Sequence, residues 1–438
     1  MAVVLVFLCA FFSIVTHTEK SAGPADAARQ LAERMAGGGT ILLVGRGSDE
    51  DREFVTGVGA ALRKRGLEVV GEVVGEPRDA REALERLARE GKKLGFIGAT
   101  AEAAEWTVLQ EAATRFPALG APRMVIPVGV RWPTFLTRQN LLNVANQIAV
   151  VAILAVGMTI VIISGGIDLS VGSLIALSAV GVTVLIRDWA GATAAGAGEL
   201  FLCSLAGVMA CAGIGLVSGG LVALFRVPPF IATLAVMQVA SGVAFMIARG
   251  GSIYEVPDGF TWLGRGADFL GIPNAVLLML GLYGGTHFFM TRTVLGRWVY
   301  AVGGNATAAR LAGLNVPLVL LFAYAFCGAM AGLGGVVQAS QLKSGAPTYG
   351  AMYELYAIAA VVVGGTSLSG GEGRVFGTLI GALIIAVIQN GMNLTNVESY
   401  SQRVVLGLVI LGAVLLDMLK KRDWRWLTRL WRADPGRL

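Results

Sequence analysis

The sequence predicts an α-helical polytopic membrane protein of about ten transmembrane helices, with a small exported α/β parallel-sheet domain inserted after the first helix. Of its 438 residues, 55% are apolar and 15% are charged, whereas soluble domains average about 25% charged residues. Residues 19–125 hold 16 of the 35 basic and 17 of the 29 acidic residues, so the rest is even more apolar. This composition excludes a disordered chain, a coiled coil and an ordinary cytosolic enzyme.

Apolar runs near the roughly 20 residues of a spanning helix recur along the chain. The first run, residues 2–16, is short and is interpreted as a membrane helix or signal anchor, with a cleaved signal peptide as the alternative. The others lie near 147–164, 170–187, 200–225, 229–248, 274–291, 316–339, 354–366, 375–395 and 403–419. The run 354–366 is also short, which is typical of a broken or re-entrant helix.

Charge predicts how these runs are oriented. An even number of spans puts both termini on one side, and the basic segment 421–438 assigns that side to the cytoplasm. The Arg-containing loop 292–315 then falls inside as well, and the polar connection 249–273, at net −1, falls outside. We therefore expect a multi-pass protein of the bacterial inner membrane, with a cytoplasmic C-terminus and residues 19–130 in the periplasm.

The charged segment has the pattern of an α/β domain. Expected strands alternate with expected helices at 40–45, 49–65, 67–74, 78–90, 94–98, 101–115 and 123–128, and this alternation predicts βαβ units and a parallel sheet. The predicted organisation is a first helix or anchor at 1–18, a periplasmic α/β domain at 19–130, a membrane domain at 131–420 and a basic cytoplasmic tail at 421–438.

Three segments interrupt apolar helices with glycine, proline and polar residues. Such backbone occurs at membrane depth only where it is buried in protein or lines a wet cavity. The first, residues 157–173, contains Gly165, Gly166, Asp168 and Ser170. Asp168 and Ser170 are expected to cap the following helix, and Asp168 is either a simple cap at the cytoplasmic membrane edge or a gate.

The other two interruptions are residues 226–234, where Pro228 and Pro229 predict a helix start, and residues 361–378. Five of eight positions agree between GGIDLSVG at 165–172 and GGTSLSGG at 364–371, so an internal repeat and a chance match of glycine-rich octets both stay open. The third segment also contains LSGGE, as in ABC ATPases. The chain has no GxxxxGK[ST] phosphate loop, so it is not itself an ATPase.

A further segment, residues 296–317, predicts a short helix of small residues that opens at Asn305 and closes at Gly313. A small-faced helix that projects from a membrane suits the groove of a partner, and a solvated loop is the alternative. The four cysteines form no CxxC pair and the chain has two histidines, so no metal site and no catalytic residue is expected.

Residues 157–173, 226–234, 296–317 and 354–395 resemble the permease subunits of ribose- and xylose-type ABC sugar importers, in a likeness that covers about 130–420. The α/β insert departs from that family. Its helix DREFVTGVGAALRKRGLEV and its LGFIGAT segment resemble the N-terminal lobe of type I periplasmic sugar-binding proteins.

The resemblance implies a dimeric permease in the lipid membrane, with a second permease subunit, a separate ABC ATPase and a periplasmic sugar-binding protein, and without nucleic acid. It implies no cofactor on this chain, since the partner uses the ATP. The implied coupling residues are Gly303, Gly304, Asn305, Ala309, Arg310 and Gly313. The candidate pathway or gate residues are Gly165, Gly166, Asp168, Ser170, Pro228, Pro229, Asn146, Gln147, Gln238, Gln338, Gln389 and Asn390.

The expected function is therefore translocation of a monosaccharide, powered by a separate ATPase subunit. One alternative is an ion-coupled secondary transporter, which needs ionisable groups at membrane depth, and the candidates are Asp168, Glu354 and Asp417. A second alternative is a membrane-anchored sugar sensor in which residues 19–130 are the working part.

Overall fold

A computed structural model of the chain describes residues 1–19, 22–35, 39–128 and 131–421. The chain divides into two compact units, one formed by residues 1–16 with 135 onward and the other by residues 17–134. The basic tail expected at 421–438 lies outside the described residues, apart from Lys421.

The unit of residues 17–134 is an α/β domain. Its elements are β1 (His17–Glu19), α2 (Pro24–Arg34), β2 (Thr40–Arg46), α3 (Asp49–Lys64), β3 (Glu68–Gly75), α4 (Pro77–Arg89), β4 (Phe96–Ala99), α5 (Thr107–Gln110), α6 (Ala112–Arg115), β5 (Arg123–Val125) and β6 (Arg131–Pro133). Four strands pair in parallel in the order β3-β2-β4-β5. The parallel sheet predicted from the alternating pattern is confirmed.

The sheet is buried by helices on both faces. Residues of β2 alternate between two apolar clusters, one shared with α2 and α3 and the other with α4, α5 and α6. The helix expected at 101–115 is wrong, because Trp106 has an extended backbone (φ −66°, ψ 124°) and divides this stretch into short turns. Helix α2 is not among the elements expected from the sequence.

The other unit is helical. It comprises α1 (Ala2–Val15), α7 (Arg138–Ile163), α8 (Val171–Asp188), α9 (Ala197–Ala223), α10 (Pro229–Ile247), α11 (Trp262–Arg265), α12 (Asn274–Arg292), α13 (Val294–Gly304), α14 (Ala306–Leu311), α15 (Val316–Leu342), α16 (Tyr353–Val363), α17 (Val375–Leu394) and α18 (Ser399–Lys421). Each of the ten apolar runs contains a helix. Within the described residues, six of these helices are long and apolar enough to cross a membrane: α7, α8, α9, α10, α15 and α17. The number of spans therefore stays a prediction.

The bundle is built around α7 and around a glycine-mediated contact between α9 and α15. In the most apolar 18-residue stretch of α7, 89% of the residues are buried inside the bundle, compared with 22% in that of α9. A Cβ at Gly328 of α15 would overlap the carbonyl oxygen of Cys211 on α9, and one at Gly332 would lie 2.8 Å from Val208 Cα. These glycines let the two backbones approach closely, as is common between membrane helices.

Helix α16 is short because its chain enters the bundle as irregular backbone. Residues 344–347, between α15 and α16, are buried, and Gly345 exchanges two hydrogen bonds with Ile253 at 2.8 and 2.9 Å. The following Gly350 lies against the first turn of α8, where a Cβ on Gly172 would lie 2.6 Å from the Gly350 carbonyl oxygen. The starts of α8 and α16 therefore meet inside the bundle.

Candidate functional site

The glycine pairs after α7 and α16 form the same turn. Gly165 N–H donates to Ile162 O and Gly166 N–H to Val161 O, both within 3.0 Å. After α16, Gly365 N–H donates to Val362 O and Thr366 N–H to Val361 O. Gly165 and Gly365 have φ of +87° and +91°. Both helices therefore end in a Schellman motif, which requires a left-handed residue that glycine adopts without strain.

This equivalence differs by one residue from the register of the octets. In the sequence comparison Gly165 aligns with Gly364, 199 residues later, but in the structure the left-handed residue Gly165 corresponds to Gly365. The similarity of the two segments thus reflects two equivalent helix ends. The two segments differ in length beyond these helix ends, since α8 begins at Val171 and α17 at Val375.

Asp168 is fully buried between the glycine turn and α8. Its Oδ1 accepts hydrogen bonds from the backbone N–H of Ser170 at 2.9 Å and from Ser170 Oγ at 2.6 Å. Its Oδ2 has no hydrogen-bond partner in the described part of the chain. Ser170 is the N-cap residue of α8 but its side chain does not cap the helix. The expectation that Asp168 and Ser170 cap α8 is therefore wrong, because the Asp168 carboxyl and the Ser170 hydroxyl bind each other.

Two neighbouring helices hold the turn that contains Asp168. On α15, Tyr324 Oη donates to Ile167 O at 3.3 Å, and a Cβ at Gly166 would lie 2.5 Å from that phenol oxygen. Helix α10 begins at Pro229 with Pro228 as N-cap, and Thr233 Oγ1 of its first turns donates to Ile167 O at 3.5 Å. The proline pair thus starts α10 beside this turn.

The end of α13 lies against the end of α7 and against the glycine-rich loop between α16 and α17. A Cβ at Gly303 would overlap the carbonyl oxygen of Ile163 and would lie 2.7 Å from Gly371 N. Gly371 N–H itself donates to Ile163 O at 2.8 Å. Gly304 approaches Gly371 in the same way, and one turn earlier Tyr300 Oη donates to Gly373 O at 3.0 Å. We call this contact of Ile163, Gly303 and Gly371 the glycine junction.

Helix α14 follows the glycine junction directly and is exposed except for Ala309. Asn305 caps it, since its Oδ1 accepts from Ala308 N–H at 2.9 Å, and Gly313 ends it at φ +82°. Leu311 is 85% exposed, and Arg310 makes no ion pair within the described residues. An exposed leucine and a free guanidinium on a six-residue helix suit a protein partner.

Of the six amides expected along a pathway, three make contacts that hold the bundle together. Asn390 and Asn140 exchange two hydrogen bonds of 3.0 Å between α17 and α7. Asn146 Oδ1 and O accept from Gln341 Nε2 at 3.3 and 3.0 Å. Gln338 Oε1 accepts from Tyr353 Oη at 3.4 Å. Gln238 lies elsewhere, on the exposed face of α10.

The remaining two amides line a polar cavity of about 180 Å³ between α7, α16, α17 and α18. Its polar lining consists of Gln147, Tyr353, Tyr356, Gln389, Asn393 and Gln402, and its apolar lining of Ile148, Val151 and Ala386. None of these side chains carries a charge. We call it the amide–tyrosine cavity.

Several of these residues are not expected from the sequence. Tyr353 and Tyr356 lie in a short apolar run whose pattern does not distinguish a cavity wall from a packed face. Leu311 lies within the predicted coupling segment and Tyr300 just before it. The role of Leu311 depends on its exposure and that of Tyr300 on a carbonyl partner, and only the fold supplies both. Within the described residues no cluster of histidine, cysteine or acidic side chains could hold a metal ion.

Comparison with known proteins identifies the class. The family model described as branched-chain amino acid transport system / permease component matches residues 140–414. The ribose import permease protein RbsC of Escherichia coli K12 is 45% identical over 293 residues, which cover 66% of this chain and 88% of that protein. RbsC of Bacillus subtilis 168 is 42% identical over 338 residues, covering 77% and 98%. The D-allose transport system permease protein AlsC of Escherichia coli K12 is 36% identical over 285 residues, covering 65% and 85%.

These matches define a multi-pass membrane permease of the ABC-transporter type, which is a transport subunit. The chain belongs to the family of that permease component and, within it, to the ribose/allose type. No solved structure is significantly similar to the chain. Residues 17–134 lie outside the family match, so the resemblance of the α/β unit to a sugar-binding lobe stays a prediction.

Proposed function

We propose that the chain is the permease subunit of an ABC importer that moves a monosaccharide across the bacterial inner membrane. A separate ATPase subunit supplies the energy, and this chain binds no cofactor of its own. The ribose and allose permeases among its relatives support a sugar as cargo. The exposed helix α14 supports docking on the ATPase through Arg310 and Leu311.

The glycine junction is the observation that carries this proposal. Backbone atoms of Ile163, Gly303 and Gly371 touch without side chains between them. Such a contact has little room to absorb a displacement, because protein interiors are close-packed. When ATP binding moves the ATPase, α14 moves with it, and Gly303 then displaces the turns that lead into α8 and α17. The first of these segments contains Asp168 and leads to the start of α8, where we place the gate.

The rest of the assembly follows from the same proposal. Helix α14 and the glycine junction face the cytoplasm, as does the C-terminus, and residues 19–130 lie in the periplasm. A second copy of the permease completes the core, and a periplasmic sugar-binding protein delivers the cargo to the side away from α14. Gln147 precedes Ile163 by 16 residues on α7, so the amide–tyrosine cavity lies about 24 Å from the junction along that helix.

Co-purification from the native membrane tests the docking surface. We expect the wild-type chain to recover an ABC ATPase and Leu311→Glu to lose it, because the substitution places a charge on the exposed apolar side chain. Arg310→Glu should weaken the same contact. Leu270→Glu is the matched control, since Leu270 is 72% exposed in the connection 249–273 and lies far from α14 in the chain. Mass spectrometry of the recovered proteins gives the readout.

Two results would contradict the proposal. The first is the absence of any ATPase from the wild-type sample under conditions that keep a known ABC transporter intact. In that case uptake driven by an ion gradient and lost with Asp168→Asn would favour the secondary transporter, since among the side chains that the structure describes in the bundle Asp168 is a fully buried carboxyl. The second is equal recovery of the ATPase with wild type and Leu311→Glu, which would place the docking surface elsewhere.

A further inference from the structure

We propose that the amide–tyrosine cavity is a binding subsite for a neutral polyhydroxylated molecule of monosaccharide size. The inference rests on the proposed function for its transport role, but the cavity itself is a feature of one subunit. Its volume of about 180 Å³ greatly exceeds the roughly 10–15 Å³ that holds one water. A small organic molecule therefore has room beside the polar side chains.

The unused hydrogen-bonding groups of the cavity match a polyol. Within the described residues, the amides of Gln147 and Gln389 and the hydroxyl of Tyr356 have no protein partner. Each amide offers two N–H donors and an acceptor oxygen, and a phenol can donate and accept. Sugar hydroxyls also donate and accept, so every one of these groups can pair with them in either direction.

The other polar groups are already held in place. Gln402 Nε2 donates to Asn393 Oδ1 and to Val397 O, both at 2.8 Å, which fixes the rim formed by α17 and the start of α18. Tyr353 donates to Gln338, and its ring centroid lies 6.2 Å from that of Tyr356. The cavity thus combines a rigid rim with free amides, and two aromatic rings offer apolar surface to the C–H faces of a sugar.

The absence of charge in the lining of the cavity disfavours small molecules that carry charges. None of the nine residues that line the cavity is ionised. An amino acid carries an ammonium and a carboxylate, and each would lose hydration here without an ionic partner, which is costly. A neutral sugar exchanges its water for hydrogen bonds without that cost, and a few such bonds of modest net strength also let it leave.

Helix α16 links this cavity to the glycine junction. Tyr353 and Tyr356 occupy its first turn, and its last residue, Val363, leads into the loop 364–374, which contains Gly371. Eleven residues of α-helix are about 16 Å long. Because one short helix connects the tyrosines to the junction, a displacement at the junction changes the wall of the cavity.

Cysteine protection tests binding without requiring transport. Gln147→Cys removes no hydrogen bond of the described chain, and Gln147 is exposed at the cavity. The full-length chain would carry it with Cys9→Ser, because the other three cysteines are buried. Ser252→Cys, exposed in the connection 249–273, is the matched control. The readout is the rate of maleimide labelling with D-ribose, D-allose or L-leucine.

We expect saturating ribose or allose to slow labelling of the Gln147→Cys variant about three- to tenfold, with no effect on Ser252→Cys, and leucine to have no effect on either. In the Gln147→Cys background, Gln389→Leu should remove this protection, since the substitution deletes the second free amide of the cavity. Unchanged labelling with both sugars, or protection by leucine alone, would overturn the subsite.

Transport gives an independent measure with the chain, its ATPase and its binding protein in proteoliposomes. Gln389→Leu and Tyr356→Phe should each lower the maximal rate of sugar uptake about three- to tenfold while ATPase recovery stays at the wild-type level. If the wild type transports sugar and both variants match it, the subsite is wrong and the proposed function stands. If the wild type recovers no ATPase and transports no sugar, yet ribose protects the Gln147→Cys variant, the proposed function fails and the subsite stands.

Discussion

Among single residues, the proposed coupling depends on glycines, positions where a side chain is missing. At Gly303 any Cβ would overlap a backbone carbonyl oxygen, which cannot turn away as a flexible side chain would. Gly370 shows the same restriction, because its Cβ would lie 2.8 Å from Gly303 O. These glycines therefore serve close approach of three backbone segments.

Replacement of Gly303 should uncouple the subunit. Gly303→Ala must separate α13 from the end of α7, and overpacking of this kind costs about 1–3 kcal/mol, equivalent to roughly a 5- to 150-fold change in an equilibrium. We expect uptake to fall by about tenfold or more while the ATPase still co-purifies. Gly285→Ala on α12 is the control, since open space surrounds that position. Uptake by Gly303→Ala at the wild-type rate would show that the glycine junction does not transmit the displacement of α14.

The sequence predicts some site residues and misses others for a physical reason. Gly165 and Gly303 are recognisable because glycine at an apolar helix boundary is a distinctive signal. The amides are harder to assign. A helix that is buried on all sides, such as α7, has no polar face that would indicate which of its sides lines a cavity. Gln389 and Asn390 are adjacent in sequence, yet one lines a cavity and the other bonds α7.

At the element scale, α7 and α17 are joined by a reciprocal amide pair. Asn140 and Asn390 each donate to the other at 3.0 Å, and Asn140 Nδ2 also donates to Phe135 O at 2.9 Å. Interhelical hydrogen bonds in membranes contribute about 0.6 kcal/mol on average and up to about 1.7 kcal/mol. This pair therefore stabilises the contact between two long helices.

Stability measurements should distinguish the role of Asn390 from that of Gln389. We expect Asn390→Ala to lower the thermal stability of the full chain in detergent, with a coupling to Asn140→Ala of about 0.6–1.7 kcal/mol in a double-mutant cycle. Gln389→Leu should leave the thermal midpoint near that of the wild type, because its amide has no partner in the described chain. Additive effects of the two asparagine substitutions would contradict the structural role of the pair.

The apolar pattern of the sequence predicts the short helix α16 but not the segment that precedes it. The apolar run at 354–366 predicts its brevity, and the structure gives Tyr353–Val363. The buried irregular segment before it is not predicted, because Gly345, Ala346 and Pro347 have the composition of an ordinary loop. Its burial depends on contacts with Ile253 and α8, which lie far away in the sequence.

In the whole molecule, the first and last residues of the α/β unit lie close together. β1 and β6 pair antiparallel, with His17 opposite Pro133. Paired residues of antiparallel strands have Cα atoms about 4.5–5.5 Å apart. The unit has its own parallel sheet and two apolar clusters, so its fold is supported from within.

Excision of this unit should therefore leave the permease intact. We expect a chain in which a short Gly-Ser linker replaces residues 17–134 to insert in the membrane and to recover the ATPase. With Gln147→Cys added, it should also keep the protection of that position by ribose. The closeness of the two ends means that a few residues can bridge them, and loop closure by a short flexible linker costs little.

Uptake by the excised chain then assigns the role of the unit. Sugar uptake near the wild-type rate, with the same binding protein, would show that the transport machinery lies within residues 1–16 and 135–438. A loss of uptake with retained ATPase recovery and retained protection at position 147 would instead assign delivery of the sugar to the α/β unit, because binding and coupling would both be preserved. Failure of the excised chain to reach the membrane would contradict the independence of the helical unit, which the internal contacts of α7, α9 and α15 otherwise predict.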